Sequence, residues 1–202
     1  MFLTSSDVAE WLGVSTRQAQ RICSTGVLEE RKFGSRYAYS AREVEAIMRT
    51  QSRGRNWSTS TRAAALDLLS TGNTQILSGS PRSRLRNRLR NSPPGAISRQ
   101  ILRSRVRLHS PATPAKPGFF QPTLLETWGL SGLGGTGVVL VESPEHSIRA
   151  TGLIPDPEGR VVVVTGDAQH REIYEALSLY TFGDYREMIA ATEWLSTRQS
   201  TF

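Results

Sequence analysis

The sequence of 202 residues holds one cysteine, Cys23, which excludes an internal disulfide framework and a cysteine-built zinc site. Lysine is almost absent, two residues against 23 arginines. A GC-rich coding genome produces such a bias unaided, so the placement of each arginine says more than its identity. No stretch approaches the roughly 18 apolar residues a membrane span requires. MFLTSSDVAEWLGVS also lacks a basic flank leading into an apolar run. These absences, with the unpaired cysteine, lead us to expect a cytoplasmic protein with no membrane partner. Acidic residues are missing over one long interval: none lies between Asp67 and Glu126. His109, His146 and His170 occur singly, with no H-E-x-x-H, G-x-S-x-G or spaced metal set. The carboxylate pairs Asp156/Glu158 and Asp184/Glu187 are explained by turn and helix-start chemistry. The expectation is therefore no catalytic residue, no metal, no cofactor and no enzyme.

Against these absences stands a polarised charge distribution. Residues 58–125 carry eleven basic side chains and one acidic one, whereas residues 126–202 carry five basic and eleven acidic ones. The net +7 favours polyanionic partners. A hydrophobic content of 38% is enough for a packed core.

The first fifty residues are the most informative. SSDVAEWL puts Val8, Ala9, Trp11 and Leu12 on one helical face, with Ser5 or Ser6 as the cap. Gly13 breaks that helix and Val14 plugs the turn. Ser15-Thr16-Arg17-Gln18 is a capping box opening a second helix, whose Ala19, Ile22 and Cys23 form the buried stripe and which Gly26 closes. Thr16, Arg17, Gln18, Gln20 and Arg21 are left on its other faces. Two helices around a glycine turn make a helix-turn-helix, and Arg, Gln and Thr can read base edges from the second helix. VLEERKFGSRYAY then reads as a hairpin around Gly34-Ser35, with Lys32, Arg36, Tyr37 and Tyr39 clustered around its tip. Ser40-Ala41-Arg42-Glu43 is a further capping box, opening a helix with Val44, Ile47 and Met48 facing the core.

LTSSDVAEWLGVSTRQAQRICSTGVLEERKFGSRYAYSAREVEAIM resembles the MerR/excisionase-type winged helix-turn-helix family over about 45 residues. The resemblance implies double-stranded DNA as partner. Ser15, Thr16, Arg17, Gln18, Gln20 and Arg21 would read the groove. Lys32, Ser35, Arg36 and Tyr37 on the wing would touch backbone or minor groove. The family's effector-binding cysteines and long dimerisation helix have no counterpart here, so metal sensing is not expected.

Residues 51–61 read as a polar linker. Residues 62–71 resume a helix that Gly72 ends. PRSRLRNRLRN (81–91) reads as a short helix bracketed by Pro81 and Pro93-Pro94, with Leu85 and Leu89 on one side. Its Arg84, Arg86 and Arg88 are candidates for a phosphate-binding face. Contact with the acidic last third and simple solvation remain alternatives; the tract lacks the broad apolar face a membrane helix needs. A helix over 95–104, a strand over 104–109, an irregular 110–122, strands at GVVLVES and GRVVVVTG around the turn IPDPEG, and helices over 168–181 and 184–195 complete the chain. The last helix is expected to bury Tyr185, Met188, Ile189, Ala191 and Trp194. Gly132, Gly134 and Gly137 fit G-x-G-x-x-G, but a strand follows them where a dinucleotide site needs a helix.

The sequence thus describes an α+β protein. It comprises a winged helix-turn-helix over 1–50, a linker over 51–61, and a mixed α/β module over 62–202 with a basic segment at 82–107 and an acidic end. The function expected is a sequence-specific DNA-binding regulator, a repressor or autoregulator acting by operator occupancy. The alternative is an antitoxin whose second module neutralises a toxin, since the overall plan is similar to abortive-infection antitoxins. A homodimer or a toxin partner would engage the second module.

Overall fold

The computed structural model describes residues 1–24, 28–50, 55–113, 120–130, 135–142 and 151–201. The first part contains β1 (Phe2–Leu3), α1 (Ser5–Leu12), α2 (Thr16–Ser24), β2 (Arg31–Phe33), β3 (Arg36–Ser40) and α3 (Ala41–Arg49). Thr4, not Ser5 or Ser6, caps α1: its hydroxyl accepts from the Asp7 amide, and Asp7 accepts from the Thr4 amide at 2.8 Å. The cap lies one residue earlier because Asp7 then falls at the third helical position, where the reciprocal bond closes. Gly13 ends α1 at φ 63°, a left-handed conformation. Ser15 accepts from the Gln18 amide at 3.3 Å, and Gln18 Oε1 accepts from the Ser15 amide at 3.0 Å. Gly26 lies outside the described residues.

The three strands form a sheet in the order β1-β3-β2, with Phe33 opposite Arg36 across a two-residue turn. Gly34 supplies the positive φ of 62° at the first turn position. Val8, Leu12, Ala19, Cys23, Leu28, Tyr39 and Val44 make one buried cluster. Cys23 is buried there, and burial raises its thiol pKa. Two expectations fail in α3. Met48 is 45% exposed. Glu43 accepts from the Glu29 amide at 3.0 Å and does not reach back to Ser40, although Ser40 does accept from the Arg42 and Glu43 amides.

The remaining elements are α4 (Thr59–Thr71), α5 (Gly79–Asn91), α6 (Pro94–Leu102), β4 (Val106–Pro111), α7 (Thr123–Thr127), β5 (Gly137–Val141), β6 (Leu153–Pro155), β7 (Val161–Thr165), α8 (Arg171–Phe182) and α9 (Tyr185–Ser200), with a 3-10 turn at Ala168–His170 before α8. The sheet order is β5-β7-β4-β6; β5 and β7 run parallel and the other pairs antiparallel. Mixed sheet and helices make the fold α+β. Helix α8 is buried on all sides through Ile173, Tyr174, Ala176, Leu177 and Leu179, with α3, α4, α6, α7 and α9 packed around it. Its Glu175, also buried, accepts from Thr123 Oγ1 at 2.9 Å and the Leu124 amide at 3.3 Å, which holds α7 in place.

Several sequence expectations need correction here. Ser58 caps α4, which therefore starts three residues before Arg62. Arg55 to Trp57 are pinned to α6 by Gln100: its Oε1 accepts from the Trp57 amide at 2.8 Å and its Nε2 donates to the Arg55 carbonyl. Residues 51–54 lie outside the described residues. β6 (Leu153–Pro155) takes in the first two residues of the expected turn, and β4 runs two residues later than expected. Helix α9 continues to Ser200 and buries Glu187, Ala191, Leu195 and Gln199. Tyr185 is 71% exposed and Ile189 39%. The buried row is spaced by four and carries polar ends that hydrogen-bond inward: Glu187 Oε1 accepts from the Thr136 amide, and Gln199 donates to the Ser92 carbonyl.

The two parts are docked on each other. Arg42 Nη2 donates to the Phe182 carbonyl at 2.9 Å, and Arg49 Nη1 donates to the Gly183 carbonyl at 2.7 Å. Two guanidinium groups from α3 thus satisfy carbonyls at the C-terminus of α8, the end of a helix that favours cations. Gly95 permits the approach: a Cβ there would lie 2.1 Å from the Arg49 carbonyl oxygen. On the other flank, Arg31 pairs with Asp156 at 3.0 Å, and Glu158 accepts from Ser40 Oγ and the Met1 amine.

Candidate nucleic-acid interface

Helix α2 is fixed by its apolar side. Ala19 and Cys23 are buried and Ile22 packs against the same cluster, so the remaining positions face water. Ser15, Thr16, Arg17, Gln18, Gln20 and Arg21 are all exposed. Gln18 is set apart from the others, because its amide oxygen also accepts from Ser15 Oγ at 3.1 Å and is held at the helix start. Thr16, Arg17, Gln20 and Arg21 remain as an exposed row in the first two turns. Among the described residues, neither Arg17 nor Arg21 forms an ion pair. Long donors without carboxylate partners can approach an anionic surface without first breaking a contact.

The wing presents Lys32, Ser35, Arg36 and Tyr37, all exposed, with Phe33 beside them at 55% exposure. Its root is anchored: Arg31, bonded to Asp156, also lies 5.3 Å over the Phe2 ring, and Phe2 packs edge-on against Phe33. Asp156 accepts additionally from Ser110 Oγ at 2.7 Å and sits below the usual carboxylate range. Burial opposes that shift, while bonds from Ser110, the Glu158 amide and Arg31 produce it. The second module therefore fixes the base of the wing and leaves its tip in solvent.

The arginine tract is helical, as its brackets suggest, and begins at Gly79, two residues ahead of Pro81. Leu85 and Leu89 are buried. The helix packs mainly on α4 and α9 and so stands apart from α2 and the wing. Its three candidate arginines differ. Arg86 turns inward, and its Nη2 donates to the Gly72 carbonyl at 2.7 Å at the end of α4. Arg88 is exposed, with its guanidinium 5.4 Å from the centre of the Trp57 ring. Arg84 is exposed. Among the described residues none of the three pairs with a carboxylate. The acidic residues Asp156, Glu158, Glu175 and Glu187 make their contacts elsewhere in the chain.

His170 is buried between two carboxylates, Nδ1 2.6 Å from Asp167 and Nε2 3.0 Å from Asp67, and Asp67 also accepts from Thr74 at 2.7 Å. That arrangement ties α4 to the turn before α8. His109 is buried in β4, and burial lowers its pKa. His146, Gly132 and Gly134 lie outside the described residues; Gly137 opens a strand, which is not the helix start that a dinucleotide fingerprint requires. Asp184 and Glu187 form the capping box of α9. Among the described residues no cluster of three His, Cys, Asp or Glu side chains could hold a metal ion, and no helix is long and apolar enough to cross a membrane.

Sequence reasoning found the exposed row of α2 through the spacing of its buried residues. It missed the docking arginines Arg42 and Arg49, whose only signal was their position beside an apolar stripe. Residues 2–52 match the model of a family described as a helix-turn-helix domain, an excisionase-like family. No curated protein and no solved structure matches the chain. The matched segment contains α1, α2, the hairpin and α3, the elements whose geometry is described above.

Proposed function

We propose that the chain is a sequence-specific DNA-binding repressor that acts by occupying its operator and performs no chemistry. The helix-turn-helix domain supports a DNA-binding regulator in general. The observation that carries the finer reading is the exposed row Thr16, Arg17, Gln20 and Arg21 on a helix held from behind by Ala19 and Cys23. In the helix-turn-helix arrangement such a helix enters the major groove, where Arg recognises guanine and Gln recognises adenine. The wing residues Lys32, Ser35, Arg36 and Tyr37 add contacts to the backbone, and Arg84 and Arg88 on α5 add non-specific attraction. The second module holds the reading domain through Arg42 and Arg49 and offers the contact to a second copy or a partner protein.

An antitoxin would need acidic surface to meet a basic toxin. Asp156, Glu158, Glu175 and Glu187 are committed within the chain, which leaves the exposed Glu126, Glu142 and Glu193 for such a contact. The test is DNA binding by full-length variants. Arg17→Ala and Arg21→Ala are expected to relax sequence preference, at about 1–3 kcal/mol per lost base contact. The double change of Arg84 and Arg88 to Ala is expected to weaken all sequences alike and lower the salt slope by about two phosphate contacts. Equal losses on specific and scrambled DNA for Arg17→Ala and Arg21→Ala would contradict the assignment of α2.

A further inference from the structure

A cleft of about 590 Å³ opens at the carboxyl ends of the parallel strands β5 and β7, lined by Arg62, Arg103, Ser104, Arg105, Glu142 and the Thr165-Gly166-Asp167 turn. Both strands end there, β5 at Val141 and β7 at Thr165. It lies at the opposite end of β5 from Gly137, and so away from the glycine-rich motif.

Three guanidinium groups converge on it from two elements, and among the described residues none has a carboxylate partner. Each is held by neutral acceptors. Arg62 Nε donates to the Gln100 carbonyl at 3.0 Å, Arg105 Nη1 to the Thr165 carbonyl at 3.2 Å, and Arg103 to Asn56 Oδ1. Burial and the nearby charges of Arg105 and Arg103 hold the Arg62 pKa below its ordinary value. The turn that brings Arg103 and Arg105 together is strained. Ser104 at φ 59° is the only non-glycine residue in the left-handed region among those described. Two carboxylates share the lining: Glu142 is exposed, while the Asp167 carboxylate is engaged by the His170 amide and ring.

We propose that this cleft binds a small phosphorylated, hydroxyl-bearing molecule of the nucleotide class. Its phosphate lies on Arg62, Arg103 and Arg105, and its hydroxyls donate to Glu142. Guanidinium groups match phosphate oxygens in pairs, a carboxylate suits a sugar hydroxyl, and the volume falls in the range of small-molecule sites. The site is independent of the DNA-binding reading.

The test is calorimetric titration of the full-length protein with ADP, inorganic pyrophosphate and adenosine, with no DNA present. ADP and pyrophosphate are expected to bind and adenosine not to. Arg103→Gln, at an exposed residue whose contact is to a surface asparagine, is expected to weaken both about tenfold, and Arg103→Lys to weaken them less. Glu142→Gln is expected to weaken ADP and leave pyrophosphate unchanged. The proposal is overturned if neither ADP nor pyrophosphate binds, if adenosine binds as tightly as ADP, or if Arg103→Gln matches the wild type while unfolding at the same temperature. Loss of DNA affinity in Arg103→Gln, with no binding of either phosphate probe, would assign the cleft to the DNA backbone and also overturn it.

Discussion

Replacing Glu43 with Gln should stabilise the protein at pH 8 and leave it unchanged near pH 4.5. Glu43 stands in the first turn of α3, half-buried, with one carboxylate oxygen accepting from the Glu29 amide. Its pKa is pushed from 4.5 up to about 7, chiefly by burial, with repulsion from Glu29 and Glu158 adding to the effect and the Glu29 amide bond and Arg107 opposing it. Because the folded pKa is the higher one, the native state retains a proton that the unfolded chain releases between pH 4.5 and 7. Stability therefore falls with rising pH across that window and is level above it. A shift of this size corresponds to an upper bound of about 3 kcal/mol, and the water still reaching the side chain brings the expected effect to about 2 kcal/mol. The amide of Gln carries no charge yet still accepts from the Glu29 N–H, so the comparison isolates the ionisation. Urea unfolding of both proteins at pH 4.5, 6 and 8 measures it. A constant difference across the three pH values, or a variant less stable at pH 8, would refute the reasoning.

Other perturbations test the packing. Arg49→Ala leaves the Thr181 and Gly183 carbonyls without their guanidinium donor and should cost about 1–3 kcal/mol, read by chemical denaturation with faster hydrogen exchange in α3. Gly95→Ala forces a methyl group against the Arg49 carbonyl and should lower the unfolding temperature by separating α6 from α3. His170→Ala leaves Asp67 and Asp167 without their shared ring partner and should cost about 1–3 kcal/mol in the same assay. Leu89→Ala opens a cavity between α5 and its neighbours, with an expected loss of about 2–5 kcal/mol, whereas the exposed Arg84→Ala should leave stability unchanged.

How far the sequence could be read depended on whether a residue's role was local. The Ser15–Gln18 box, the Gly34-Ser35 turn, the buried pair Leu85 and Leu89 and the Asp184–Glu187 cap all arise within a few residues of themselves, and their spacing revealed them. Met48, Tyr185 and Ile189 misled because apolar character alone does not choose a face. In α9 the buried row is completed by Glu187 and Gln199, polar residues whose partners lie far along the chain. Asp156 and Glu158 looked like turn residues and are turn residues, but they also hold the first domain through Arg31 and Ser40. The arginine-lined cleft was illegible for the same reason: Arg62 and Arg103 are 41 positions apart in the sequence and meet only because α4 and α6 share one end of the sheet.

The central claim is that α2 reads DNA sequence. The most direct measurement is binding of the full-length protein to DNA from its own upstream region against a scrambled duplex of the same composition, titrated with salt. The account predicts a clear preference for the upstream duplex, a steep salt dependence on both, and loss of the preference in Arg17→Ala and Arg21→Ala. Equal affinity of the unaltered protein for both duplexes at every salt concentration would contradict it.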